Sequence, residues 1–227
     1  LAHMYPGQGS QYVGMTHDLS KRFRIIGETW KEADIVMNDI IGEPLSEFVL
    51  RSNLTENENA DAEEKLKQTE YTQPAMLTAD LAIERLLNQH GIHPDMVAGH
   101  SLGEYAALMV SGILRFEDAL RAAAARGTEM GSVEVPDKGI MASITAPYDV
   151  IESVLDSVDG YVIAANKNSP NMTVIAGETE PMRAAMQKFE EGGATVIQLQ
   201  TSHAFHSRIV APANEPLRRF LEGLEIS

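Results

Sequence analysis

"VAGHSLGEYAAL", residues 97–108, sets one serine between two glycines, Gly99-His100-Ser101-Leu102-Gly103, after one apolar run and before another. "PDMVAGHS", 94–101, reads as a short strand, and "SLGEYAALMVSG", 101–112, as a helix stopped by Gly112. Strand, sharp turn and helix form the setting of a nucleophile elbow. Glycines on both sides allow a tight turn that lifts the hydroxyl above the sheet and aims helix N-terminal N–H groups at the point of attack. The N–H of Leu102 is then a natural oxyanion donor. The same pentapeptide also suits a plain helix start, for which Ser101 is a good N-cap, so the chemistry rests on what the rest of the chain brings.

A serine nucleophile needs a base. The histidines are His3, His17, His90, His93, His100, His203 and His206. His90 and His93 flank a Gly-Ile turn with no further ligands for a metal nearby in sequence, and read as surface residues. His100 neighbours the serine, but alternation along a strand points it to the opposite face. The remaining pair stands in "SHAFHS", 202–207, and either histidine is a candidate partner. A third piece is the glycine loop "YPGQGSQ", 5–11, at the end of a first strand. It presents backbone N–H groups and is not a P-loop, because no Gly-Lys-Ser/Thr follows.

The chain of 227 residues is long enough to bury a sizeable core, and 44% hydrophobic with 22% charged residues is ordinary for a globular protein. A net charge of −15 argues against a nucleic-acid or anionic-membrane surface. No cysteine is present, which removes disulfides and thiolate metal sites and fits a reducing compartment. No apolar run is long enough to span a bilayer, and no signal peptide is visible, so a cytoplasmic location is expected. The opening "LAHMYPGQGSQ" begins inside a strand, which reads as a piece of something longer.

Further along, the acidic stretch 55–70 reads as a solvated connection or exposed helix. "TQPAMLTADLAIERLLNQHG", 72–91, has helical spacing with Pro74 in its first turn. "RFEDALRAAAARG", 115–127, reads as a helix with Gly127 just past its end. From Gly139 the pattern changes to strand, helix, strand, strand, helix, strand over residues 139–200, the ferredoxin-like order. The expected architecture is an α/β-hydrolase-like core with a parallel sheet, residues 1–137 and 201–227, plus an inserted ferredoxin-like small subdomain at 138–200.

"YPGQGSQYVGM", "TQPAMLTADLA", "GHSLGEYAAL", the Arg-Gly at 126–127, "NSPNMTVIAG" and "SHAFHS" occur in that order. Together they resemble the malonyl-CoA:acyl-carrier-protein transacylases and the acyltransferase domains of fatty acid and polyketide synthases, over nearly the whole chain. The resemblance implies that Ser101 accepts the acyl group, that His206 is the general base, and that the N–H groups of Gln8 and Leu102 form the oxyanion hole. It implies that Arg126 pairs with the malonyl carboxylate, with Gln73 lining the same pocket and Asn166 and Asn168 as polar residues of the small subdomain. "HAFH" and Leu102 resemble the malonyl-type signature, in which His203 and Phe205 belong to the substrate side and Phe205 fills the space an α-methyl would need. Such a contact discriminates by only about 1–3 kcal/mol.

The implied partners are malonyl-CoA and an acyl carrier protein, within a synthase or not. CoA and carrier phosphopantetheine enter as substrates, and no metal or other cofactor is implied. Lys167, Arg183, Lys188, Arg208, Arg218 and Arg219 are candidates for a basic carrier-docking patch. Arg121, five positions before Arg126, reads as a solvated charge. In the family an asparagine on a later strand turns its backbone carbonyl toward the catalytic histidine. This chain ends at Ser227, before that strand. A serine acyl hydrolase and a non-catalytic docking domain remain as other readings of the same residues. A carboxylate clamp at Arg126 weighs against the first, and the intact Ser101, His206 and Gln8 against the second.

Overall fold

A computed structural model describes residues 1–224. The chain forms two compact units, one comprising Leu1–Met130 with the chain from Leu217 onward, the other Gly131–Pro216.

In the first unit β1 (Ala2–Tyr5) is followed by the helices α1 (His17–Arg22), α2 (Arg24–Ile41), α3 (Ser46–Val49), α4 (Glu56–Leu66) and α5 (Thr69–Gln89). Then come β2 (Met96–Gly99), α6 (Gly103–Val110) and α7 (Phe116–Gly131). β1 and β2 pair in parallel with Ala2 opposite Met96 and Tyr5 opposite Gly99. The ladder continues one residue further, where His100 N–H donates to Tyr5 C=O at 3.0 Å. Trp30, Ile26, Met37, Leu77, Leu102 and Leu120 are fully buried in the core that holds these elements together.

The acidic stretch folds as helix α4 because its first turn caps itself. Thr55 Oγ1 accepts from Glu58 N–H, and the Glu58 carboxylate accepts from Thr55 N–H at 2.9 Å, a reciprocal capping box. α5 begins at Thr69, ahead of the start expected from its apolar spacing, with Pro74 inside it. α7 runs on to Gly131, so Gly127 lies inside the helix and not past its end. The reason is packing. A Cβ on Gly127 would lie 2.4 Å from the carbonyl oxygen of Thr69, and Thr69 Oγ1 donates to the Gly127 carbonyl at 2.7 Å. The glycine is where α7 and the start of α5 touch backbone to backbone.

The second unit contains β3 (Ile140–Thr145), α8 (Tyr148–Asp156), β4 (Val162–Ser169), β5 (Met172–Gly177), α9 (Thr179–Glu191) and β6 (Thr195–Leu199). A 3-10 helix, Arg208–Ala213, and the first residues of α10 (Asn214–Leu221) complete this unit. Its four strands are ordered β4-β5-β3-β6 and pair antiparallel throughout, the ferredoxin-like arrangement. Ile144, Ile151, Ile175, Met182 and Phe189 fill the core between sheet and helices. Ala204 N–H donates to Lys138 C=O at 2.8 Å, and Asp137 accepts from both the backbone and the hydroxyl of Thr179, so the segments flanking the sheet are tied to this unit.

Candidate active site

The Gly-x-Ser-x-Gly turn is built by close backbone approach. A Cβ on Gly99 would lie 2.0 Å from the carbonyl carbon of Gly103, and one on Gly103 would lie 2.2 Å from the Tyr5 carbonyl oxygen. Only glycine lets β2, α6 and β1 meet here. The turn closes with Gly103 N–H on His100 C=O and Glu104 N–H on Ser101 C=O, at 3.0 and 3.1 Å. Ser101 itself takes φ 54, the left-handed region that a residue with a Cβ seldom occupies. That strain is the mark of an elbow in which a side chain is held out for chemistry. Leu102 is buried at the start of α6, so its side chain anchors the turn.

Beside the serine sits a cation. Arg126 Nη2 donates to Ser101 Oγ at 3.3 Å, and its Nη1 donates to Gln73 Oε1 at 2.8 Å. Gln73 is fully buried in α5, and its amide nitrogen points at Met130 Sδ, 3.9 Å away. The guanidinium also faces the Tyr105 ring at 6.0 Å. Burial pulls the pKa of Arg126 below its ordinary value, with Tyr105 and Glu104 acting in the opposite sense. Among the described residues Arg126 forms no ion pair with a carboxylate, whereas Arg121 on the same helix pairs with Glu117 at 3.0 Å. Arg126 also lies well short of the end of α7, so a service to the helix dipole does not account for it.

Gln8 lies partly buried in the turn after β1, next to Gly9 at φ 116. Gly7 packs against the other side of the elbow, since a Cβ there would lie 2.7 Å from the His100 carbonyl oxygen.

In the second unit "SHAFHS" forms a folded hook. His203 is buried, with Nε2 2.9 Å from the Val133 carbonyl oxygen and Nδ1 3.1 Å from Ser202 Oγ. Burial lowers its pKa, and the Val133 carbonyl opposes that. Phe205 is buried with its ring 6.2 Å from that of His203. His206 is exposed and takes φ 57, so it too is held in the left-handed region. Ser207 fixes the hook, donating to Ala204 C=O at 2.5 Å and accepting from Ile209 N–H at 3.2 Å.

Asn166 is partly buried in β4, and Asn168 is exposed on the same strand. The basic candidates of this unit are engaged locally. Lys167 sits over the Tyr148 ring, Arg183 pairs with Glu180, Lys188 binds Ser157 and Arg208 pairs with Glu178.

The first unit therefore brings Ser101, Arg126 and Gln73 together, and the second sets His203, Phe205 and His206 on one short strained segment. Residues 2–225 match the acyl transferase domain family. The chain belongs to that family. This acyltransferase is 35% identical to the malonyl CoA-acyl carrier protein transacylase of Bacillus subtilis, over all of this chain and 69% of that protein. It is 32% identical to the polyketide synthase GfsB of Streptomyces halstedii, over all of this chain and 4% of that protein. Its structure superposes on that of MCAT from Streptococcus pneumoniae with a TM-score of 0.84 at 39% identity, covering all of this chain and 71% of the other. No helix among the described residues is long and apolar enough to cross a membrane.

Proposed function

We propose that this acyltransferase moves a malonyl group from malonyl-CoA to the phosphopantetheine thiol of an acyl carrier protein through an ester on Ser101, in fatty acid or polyketide synthesis in the cytoplasm. The observation that carries this reading is Arg126. A partly buried guanidinium whose hydrogen-bond partners are neutral, one of them the nucleophile, is a seat for an anion that arrives with the substrate. In a malonyl ester the free carboxylate lies two bonds beyond the reacting carbonyl, and a planar guanidinium takes a carboxylate through two parallel hydrogen bonds. Gln73 Oε1 holds one side of the fork in place.

His206 takes the proton from Ser101 Oγ as the hydroxyl attacks the thioester carbonyl. The N–H of Leu102, which precedes the two bonds that close the turn, and that of Gln8 hold the oxyanion. The C–S bond breaks, CoA leaves as the thiol with the proton from His206, and malonyl-Ser101 remains. The carrier thiol then gives its proton to His206, attacks the ester and restores Ser101. Kinetics are ping-pong, and the chemistry needs no metal or redox cofactor. Asn166, Asn168, His203 and Phe205 are assigned to substrate binding by the family resemblance alone. A hydrolase of neutral acyl groups would have no use for the cation at Arg126.

Intact mass after exposure to malonyl-, acetyl- and methylmalonyl-CoA tests the reading. Malonyl loads well, methylmalonyl less and acetyl least. Equal loading of acetyl and malonyl would remove it.

A further inference from the structure

His206 is exposed yet holds φ 57, a backbone state that persists only where the surroundings over-determine it. The restraints lie on both sides of it in the chain. His203 Nε2 is 2.9 Å from the Val133 carbonyl oxygen, and Ala204 N–H donates to the Lys138 carbonyl at 2.8 Å. Ser207 Oγ donates to the Ala204 carbonyl and accepts from Ile209 N–H. Gly139 packs directly against this hook, because a Cβ on it would stand 2.8 Å from both Ala204 Cβ and Ile209 Cδ1. Its φ of 67 is left-handed, so segment 138–139 is itself a special turn that something must fix. One carboxylate does so. Asp137 Oδ1 accepts from Gly139 N–H at 2.8 Å, an Asx turn, and from Thr179 Oγ1 at 2.6 Å. Asp137 Oδ2 accepts from Thr179 N–H at 2.8 Å. Thr179 opens α9, so its N–H is one of the donors a helix leaves unpaired at its start, where the dipole favours a carboxylate. The Thr179 hydroxyl, the Thr179 N–H and the Gly139 N–H hold the Asp137 carboxyl below the usual carboxylate range.

We propose that Asp137 is a positioning residue for the general base: it clamps segment 137–139 to the start of α9, and the clamped segment sets the hook that carries His206. The proposal rests on the reading of His206 as the base of the acyl transfer. The path is contiguous, from Asp137 to the Gly139 N–H, from the Lys138 carbonyl to the Ala204 N–H, and from the Ala204 carbonyl to Ser207 Oγ, with His206 between Ala204 and Ser207. A carboxylate is needed because all three of its partners are donors. An amide at 137 would offer one accepting atom and turn an NH2 group toward a donor on its other side. The whole path lies in the second unit, whereas Ser101, Arg126 and Gln73 lie in the first. Loosening the clamp therefore slows the proton transfer and leaves the hold on the malonyl carboxylate alone.

The test follows single-turnover loading of the chain by intact mass over a series of malonyl-CoA concentrations, which separates the limiting rate, the half-saturating concentration and the final occupancy. Asp137→Asn should lower the limiting rate about ten- to hundredfold, the scale of a slightly misplaced catalytic group. Half-saturation and final occupancy should stay at the wild-type values. Thr179→Val, which removes the hydroxyl donor at nearly constant shape, should act in the same direction, and Thr179→Ser, which keeps the hydroxyl, should restore the rate. Amide hydrogen exchange gives a second readout. The Ala204 amide should exchange faster in Asp137→Asn, while those of Ile144 and Ile175 in the core strands of the same unit should not change. An unchanged limiting rate, an unchanged Ala204 exchange, or a fall in final occupancy with the remaining chains loading at the wild-type rate would overturn the proposal, the last showing a merely structural role. A wild-type chain that does not load overturns the acyl-transfer reading and this role with it. A wild type that loads, with variants that load equally fast, overturns this role alone.

Discussion

The guanidinium of Arg126 lies 3.3 Å from Ser101 Oγ and is held at its other edge by the buried amide oxygen of Gln73. Three residues far apart in sequence, in the turn before α6, on α7 and on α5, thus put a fixed positive charge beside a strained serine.

Arg126→Ala should lower kcat/KM for malonyl-CoA by about tenfold or more, the scale of one charge-assisted pair at 1.5–3 kcal/mol. It should leave acetyl-CoA level or improved, because acetyl never uses the cation. Arg121→Ala, which removes an exposed pair with Glu117, should leave the ratio of the two substrates alone. Measuring kcat/KM for both thioesters decides it. An unchanged ratio in Arg126→Ala would place the carboxylate elsewhere.

The two histidines of "HAFH" should separate cleanly. His206→Ala should slow acyl transfer by about 10²–10⁴-fold, the range for loss of a general base. His203→Ala should act mainly on stability, since it leaves the Val133 carbonyl unpaired and a void in the second unit. The sign with pH follows from burial. The folded His203 has a lowered pKa, so its contribution is present above the unfolded value of about 6.5 and is lost as pH falls through the folded value. Urea denaturation of wild type and His203→Ala at pH 8 and pH 5 should show the smaller difference at pH 5.

Gly127→Ala sets two effects against each other. Helix propensity favours alanine by about 1 kcal/mol. The new Cβ would stand 2.4 Å from a backbone oxygen of Thr69, which no side-chain rotation relieves. The clash should win, with a net loss of about 1–3 kcal/mol or more in chemical denaturation. A neutral or stabilising result would show that α5 and α7 can part easily.

Asp80 gives the opposite pH dependence from His203. Its folded pKa is raised to about 7 by burial, so its protonated form favours the folded state below the unfolded value of about 3.9, and that contribution is lost as pH rises through 7. Asp80→Asn should raise the melting temperature more at pH 8 than at pH 4.5. An equal effect at both pH values would mean the carboxyl is not buried as a neutral acid.

Much of this was legible in the sequence because it depends on local rules. The glycines of 99–103 announce an elbow, and the structure shows each filling a space no Cβ could share. The alternation from Gly139 announces the ferredoxin-like order. What was misread depends on contacts between distant residues. Gly127 looks like a helix stop, yet it stays helical because Thr69 approaches it from another helix. Thr55 and Glu58 do carry a capping-box signature, masked by the acidic run around them. The burial of Asp80 and Glu84 was missed. Polar residues at positions 80 and 84 look like the solvent side of an amphipathic helix, although they share the i, i+4 stripe of the buried Met76. That shared stripe was the available signal.

The measurement that bears most directly on the account is intact mass followed by peptide mapping after incubation with malonyl-CoA. The account predicts a gain of one malonyl group on the peptide containing Ser101, discharged by an acyl carrier protein bearing phosphopantetheine and absent in Ser101→Ala. Label on another residue, or label that persists in Ser101→Ala, would contradict it.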